Sequence, residues 1–282
     1  MDILNAPLRR LFDLILAPFA GLPAWVGLTV VSLLVSVLVL LIYKKFSNQK
    51  ALEAAKQKVY AGIFEIRLFN DDFGAILRAQ KDILRHNLTY LRHSLKPMVV
   101  MMVPLFLVVA QLQFHYGYEG LKPGEPTLLQ VTLKEDWKSK GLPADEAGKP
   151  KVELVVPQGV KLETPSVWAA EQRELAWRLS AAAPGSFELQ VKAGGETLAK
   201  TAVSSERLTR RSPIRMAPNV LDQLLYPAEA PLPSASPVAS ITLGYPEAEV
   251  SLLGWETHWI IAFFILTLVF AFALKGVFGV TF

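Results

Sequence analysis

Not one of the 282 residues is cysteine. Disulfides, thiolate metal centres and cysteine nucleophiles are therefore excluded. Charge is scarce as well: Asp, Glu, Lys and Arg together make up 19% of the chain, where a soluble domain is usually nearer a quarter. Catalytic signatures are also missing. The sequence holds no H-E-x-x-H, no G-x-S-x-G, no P-loop and no G-x-G-x-x-G, the spacings that metalloproteases, serine hydrolases and nucleotide enzymes need. No carboxylate falls inside a long apolar run, which argues against an intramembrane aspartyl protease or a carboxylate proton relay. The expectation is a protein that is not an enzyme, with no catalytic residue, no cofactor and no metal.

What the chain has in abundance is hydrophobicity, 52% of residues with a mean hydropathy of +0.33. It is concentrated in three charge-free runs, Trp25–Tyr43, Met98–Phe114 and Trp259–Leu274. A hydrocarbon core about 30 Å thick takes roughly 17–25 helical residues, so each run is read as a transmembrane helix. Trp, Tyr, Lys or Arg flank all three, as interfacial anchors do. Lys44-Lys45 stand where a signal peptide would need small residues, so the first run is read as an anchor.

Orientation follows from the basic residues. Residues 44–96 carry 11 Lys and Arg against five acids, a net charge of +6, while residues 119–256 are net −3. The positive-inside rule assigns 44–96 to the cytoplasm and 119–256 to the opposite side. The N-terminus is then outside, and Lys275 marks a cytoplasmic tail at 276–282. The expected location is the inner (cytoplasmic) membrane of a cell, with several passes.

Between the spans the patterns are regular. Residues 2–19 place Leu4, Leu8, Leu11, Phe12, Ile15 and Phe19 on one side and Asn5, Arg9, Arg10 and Asp13 on the other, an amphipathic helix suited to the outer interface within residues 1–23. Residues 48–69 repeat apolar side chains every three or four positions (Leu52, Ala55, Val59, Ile63, Ile66, Phe69). Asn70-Asp71-Asp72 interrupt the pattern, and Leu77, Leu84, Leu88, Leu91 and Leu95 resume it. Two such helices joined by a short turn suggest an antiparallel coiled-coil hairpin at 44–96. Its polar face is basic through Lys56, Lys58, Arg67, Arg78, Lys81, Arg85 and Arg92, a surface suited to anionic lipid, a ribosome or an acidic nascent chain, or serving only to set topology. His86 and His93 share a face without a third ligand.

From Thr127 the period changes to two. Segments 127–134, 151–156, 174–180, 185–192 and 196–203 alternate apolar and polar residues, and Ala193-Gly194-Gly195 suits a hairpin turn. The expectation is an immunoglobulin-like β-sandwich over residues 120–205. Residues 206–254 follow as a Pro-rich linker and return segment, whose VASITL and 247–253 stretches look like strands. The fold class expected is membrane α + β: spans at 24–43, 97–116 and 255–275, the hairpin on one side and the sandwich on the other. His115, Glu256 and His258 fall at the outer boundary as interfacial residues.

The polar residues inside the spans are mild: Thr29, Ser32 and Ser36 in the first, Gln111 and Gln113 in the second, Thr267 in the third. They suit close helix packing or a slightly hydrophilic groove open to lipid. The passage NDDFGAILRAQKDILRHNLTYLRHSLKPMVVMMVPLFLV, residues 70–108, resembles the coiled-coil-to-second-span region of the YidC/Oxa insertase superfamily, in particular its three-span members. The matching features are Gln80-Lys81, Leu95-Lys96-Pro97-Met98 and Val103-Pro104, set in the order amphipathic helix, span, basic hairpin, span. The resemblance implies a factor that eases polar parts of substrate helices across the bilayer without covalent chemistry. Thr29, Ser32, Ser36, Gln111 and Thr267 would then line the groove, and the basic hairpin would meet nascent or partner membrane proteins. A structural or accessory subunit of a larger envelope complex, binding an extracytoplasmic protein through the sandwich, is the alternative.

Overall fold

The computed structural model describes residues 2–69, 71–252 and 254–280. Asn70 of the hairpin turn, Leu253 of the return segment, Thr281-Phe282 of the tail and the side chain of Leu4 lie outside them. The chain divides into two compact units, Met1–Leu28 with Leu107–Ala262, and Thr29–Phe106 with Phe263–Phe282. We call them the β-rich unit and the helical unit.

Among the described residues three helices are long and apolar enough to cross a bilayer. They are α2 (Ala24–Phe46), the C-terminal part of α4 (Phe73–Tyr116) and α6 (Trp259–Phe278). Each coincides with one of the apolar runs of the sequence. α4 is 44 residues long and passes through both Pro97 and Pro104 without ending. Proline withholds its N–H from the carbonyl four residues back, so His93 and Val100 lose their usual helical donor.

In the helical unit α3 (Gln49–Leu68) starts at Asn48, whose side chain accepts the Ala51 N–H at 3.1 Å, an ordinary N-cap. Asp72 does the same for α4 by accepting the Ala75 N–H at 3.1 Å. The face that α3 buries is Leu52, Ala55 and Gly62, and the hairpin part of α4 buries Ala75 and Ala79. A Cβ placed on Gly62 would lie 2.6 Å from Ile83 Cγ1 and 3.6 Å from the Ala79 carbonyl oxygen. Small residues therefore bring the two helices together. This corrects the coiled-coil seam expected from the sequence. Leu77, Leu84, Leu88, Leu91 and Leu95 are exposed by 47–69% and do not form the contact. At the other end of the unit Leu40, Tyr43 and Leu52 form a core with Val280, backed by Tyr90, Met101, Leu274 and Phe278. Val280, in the stretch read as a cytoplasmic tail, is packed in this core.

The β-rich unit holds two antiparallel sheets around one core. The larger contains β1 (Pro126–Leu133), β3 (Val160–Leu162), β4 (Val167–Ala169), β5 (Glu174–Ala181), β8 (Ile214–Met216) and β9 (Val238–Leu243), in the order β3-β5-β1-β9-β8 with β4 also on β5. The smaller contains β2 (Val152–Val155), β6 (Gly185–Ala193) and β7 (Glu196–Ser204), in the order β2-β6-β7. Gly194 and Gly195, both at positive φ, turn β6 into β7 and pair Ala193 with Glu196, the two-residue turn that matches strand twist. Alternation then aims Leu129, Val131, Trp177 and Leu179 at Leu154, Leu189, Val191 and Leu198 in the shared core. A short α5 (Val220–Leu225) and the ribbon of β10 (Glu249–Leu252) with β11 (Trp255–His258) complete the unit. Residues 206–254, read as linker and return segment, contribute two strands to the larger sheet: β9, the strand-like VASITL, and β8, which was not expected. β9 pairs directly with central β1, Val131 opposite Ile241, so the sheet does not stop at residue 205.

Helix α1 (Asp2–Leu16) belongs to this unit and is held by its polar stripe together with buried Phe12, expected on the apolar side, and Leu16. Asn5, 2% exposed, donates from Nδ2 to the Gln223 carbonyl at 2.6 Å, and Arg9 donates to the Pro227 carbonyl at 3.0 Å. Asn5, Arg9 and Asp13 are four apart, so one stripe of the helix finds all its partners in the protein. Leu11 and Leu14 face outward, 48% and 73% exposed.

Candidate functional site

The residues singled out in the sequence fall into separate places. Lys56, Lys58, Arg67, Arg78, Lys81, Arg85 and Arg92 are all exposed on α3 and α4. Arg78 lies 4.0 Å from Asp72, both well exposed, a contact of little energetic weight. The basic surface borders an apolar one. From Leu84 onward α4 exposes Leu84, Leu88, Leu91, Leu95, Met98, Met102 and Phe106, in alternating steps of mostly four and three. These are successive positions on one helix face. Leu77 extends that face by two turns, and Phe64, Leu68, Phe69 and Phe73 are exposed at the α3–α4 turn. The stripe from Leu77 to Phe106 is about 43 Å long at 1.5 Å per residue. It passes from the charged part of α4 into its apolar part on a single uninterrupted helix.

The polar residues of the spans lie elsewhere. Ser32 and Ser36 are fully buried and Thr267 is 9% exposed. The Ser36 hydroxyl shares its one proton between the Ser32 carbonyl of its own helix (2.7 Å) and the Thr267 carbonyl of α6 (2.8 Å). Thr29 is half-buried. This is helix packing through small hydroxyl residues, the packing role such residues suit. The Ser32 and Thr267 hydroxyls themselves find no hydrogen-bond partner among the described residues. Gln111, 2% exposed, belongs to the β-rich unit, and its Oε1 is also unpartnered. Gln113 accepts the Trp259 indole N–H at 3.1 Å.

Two ionisable clusters of the β-rich unit were not singled out in the sequence. In the first, Asp13 of α1 meets His115 Nε2 at 3.2 Å and Arg210 at 3.1 Å, while His115 Nδ1 faces the Gln111 carbonyl at 3.1 Å. Burial pushes the Asp13 carboxyl up, but His115, Arg210 and Arg9 outweigh it and hold it below the ordinary carboxylate value. In the second, Lys200 on β7 has no exposed surface. Its ammonium donates to Glu229 Oε2 at 2.5 Å, to the Ser212 carbonyl at 2.6 Å and to Ser212 Oγ at 3.0 Å. Glu229 also accepts the Thr201 N–H at 2.9 Å and the Ser212 hydroxyl at 2.7 Å. Burial pushes Lys200 down against the pull of Glu229. It pushes Glu229 up, where Lys200 and the three hydrogen bonds prevail and hold the carboxyl low. A cavity of about 610 Å³ is lined by members of both clusters.

A lysine beside a serine invites comparison with a Ser–Lys hydrolytic pair, in which a neutral amine takes the hydroxyl proton. The geometry opposes that role. The Ser212 hydroxyl donates to Glu229 at 2.7 Å and accepts from Lys200 Nζ at 3.0 Å, so the amine is placed as a donor to it and not as its base. Both clusters act as structural ties, the first holding α1 and the second joining β7 to the 212–229 stretch. The second had a legible signal. Leu198, Lys200 and Ala202 share the inward face of an alternating strand, so a lysine in that row requires a buried counter-charge. His115, Glu256 and His258 do not converge: Glu256 and His258 are exposed. Among the described residues no group of three or more His, Asp or Glu is placed to hold a metal ion.

Comparison with protein-family models, curated proteins and solved structures finds no match to this chain.

Proposed function

We propose that this protein is an insertase-like membrane factor that aids insertion or assembly of other membrane proteins without covalent chemistry. The α3–α4 hairpin lies in the cytoplasm, the β-rich unit lies across the inner membrane as an immunoglobulin-like sandwich, and the C-terminus is cytoplasmic. The charge asymmetry of +6 against −3 supports that orientation, and two antiparallel sheets on one core support the sandwich.

The observation that carries the function is the apolar stripe of α4. Contiguous exposed apolar surface marks an interaction site, and burying each large side chain is worth about 1.5–3 kcal/mol. A stripe that starts among basic residues and runs on into the span offers an apolar helix continuous cover from the water side to the hydrocarbon. The basic side chains beside it suit acidic flanks of the entering chain and anionic headgroups. The reading rests on this stripe and not on Ser32, Ser36 and Thr267, whose burial favours a packing role.

That same burial is the observation behind the alternative, a structural or accessory subunit of a larger membrane complex that binds a partner through the β-rich unit. Depletion of the protein followed by quantitative proteomics of membranes tests the two. Insertion predicts loss of many unrelated membrane proteins with short translocated tails. Loss of the subunits of one complex alone would refute it in favour of the alternative.

A further inference from the structure

At the junction of the helical unit, where α2 ends and α3 begins, a cavity of about 490 Å³ is lined by Phe46, Asn48, Thr89, Arg92, His93 and Lys96. Its chemistry is one-sided. Arg92 and Lys96 supply permanent positive charge, no carboxylate lines the cavity, and neither residue makes an ion pair among the described residues. Asn48 uses its Oδ1 to cap α3, which leaves its amide N–H groups as donors. Thr89 donates its hydroxyl to the Arg85 carbonyl and keeps acceptor capacity only. The wall thus offers a fork of guanidinium donors, an ammonium and an amide, the set that matches a phosphate oxyanion.

Position narrows the ligand. Lys44-Lys45 close the apolar run of α2 just before the cavity, and the apolar part of α4 begins at Met98 just after it, so the cavity sits where charge gives way to hydrocarbon on both helices. Thr89, Arg92, Lys96, Val99 and Val103 recur in steps of three and four, so one face of α4 carries the two cations and then two exposed valines, 62% and 66% exposed. That order, phosphate-binding side chains followed at once by an apolar strip, fits a headgroup and the acyl chain attached to it. We propose that this cavity binds the phosphate of an anionic phospholipid, with the acyl chain along Val99 and Val103. This site is independent of the insertase reading and stands or falls on its own test.

The test uses the full chain in a neutral detergent, titrated with phosphatidylglycerol, phosphatidylcholine or inorganic phosphate and read by native mass spectrometry. Phosphatidylglycerol should bind in preference to phosphatidylcholine. R92Q/K96Q should weaken it by about thirtyfold and K151Q/K161Q, with the same charge loss at exposed positions of the β-rich unit, by under about threefold. All four positions are exposed, and circular dichroism confirms that each variant is folded. Equal binding of the two lipids, or equal loss in both variants, would overturn the site as diffuse attraction. Displacement of the lipid by an equal concentration of inorganic phosphate would overturn the lipid assignment in favour of a soluble phosphate ligand.

Discussion

Glu229→Gln should destabilise the β-rich unit by about 3–5 kcal/mol, the usual cost of removing one partner from a buried ion pair. The reasoning is specific to this site. Lys200 has no exposed surface and three acceptors within 3.0 Å, of which Glu229 is the only charged one. A glutamine of the same shape keeps one hydrogen bond and removes the charge that makes an ammonium tolerable there. For a unit of this size the loss corresponds to a fall in Tm of about 6–20 °C. The assay is urea unfolding of the full chain in detergent, followed by fluorescence of Trp137 and Trp177, which are buried in the β core. The double variant Lys200→Met/Glu229→Leu, which removes both charges, should recover most of the loss, since apolar replacement of a buried pair is often close to neutral. The acid limb carries a second signature. Because the Glu229 carboxyl is held low in the folded state, its stabilisation is present above the ordinary carboxylate range and fades as pH falls through the lowered value. That dependence should be weaker in Glu229→Gln. A loss below about 1 kcal/mol, or a double variant as unstable as both single changes combined, would refute the account of the pair.

Three further outcomes follow from the structure. Asp13 is likewise held low by His115 and Arg210, so hydrogen-exchange protection of α1 should persist down to about pH 4 and fall below it; Asp13→Asn should remove that pH dependence. Gly62→Leu should separate α3 from α4, because even a Cβ lies 2.6 Å from Ile83, at an overpacking cost of about 1–3 kcal/mol. In Gly62→Ala a helix-propensity gain of about 1 kcal/mol offsets most of that cost, and thermal melts of helicity separate the two. Ser36→Ala should lower stability by only about 0.6–1.7 kcal/mol, the range for hydrogen bonds between membrane helices; loss of cellular function at unchanged stability would instead assign Ser36 to a groove.

Much of the fold was legible because its signals are local. Apolar runs that need only length and absence of charge appear as α2, the end of α4 and α6, and alternation with Gly turns appears as β1, β5, β6 and β7. Signals that depend on partners were not legible. Ile214–Met216 is too short to stand out, and it becomes a strand only because Val238–Leu243 lies beside it. The hairpin seam was misassigned because leucines at heptad spacing and a row of Gly and Ala both fit a helix contact. Close approach at Gly62 selects the small residues and turns the leucines outward. The polar stripe of α1 looked like a water-facing side because its partners, Gln223, Pro227, His115 and Arg210, lie about a hundred to two hundred residues away. The sites divided in the same way. Basic residues of the hairpin were visible as composition and the leucines beside them as a periodic row, whereas the exposure that makes that row a surface stripe emerged only when burial was known.

The central claim is that the outward face of α4 receives apolar segments on their way into the membrane. A photoreactive amino acid placed at Leu88, Leu91 or Met98 in living cells, with buried Ala79 as the comparison, measures this directly. The expected result is light-dependent adducts with many newly made membrane proteins from the three stripe positions and none from Ala79. Adducts with a single stable partner, or equal yields from Ala79, would contradict it.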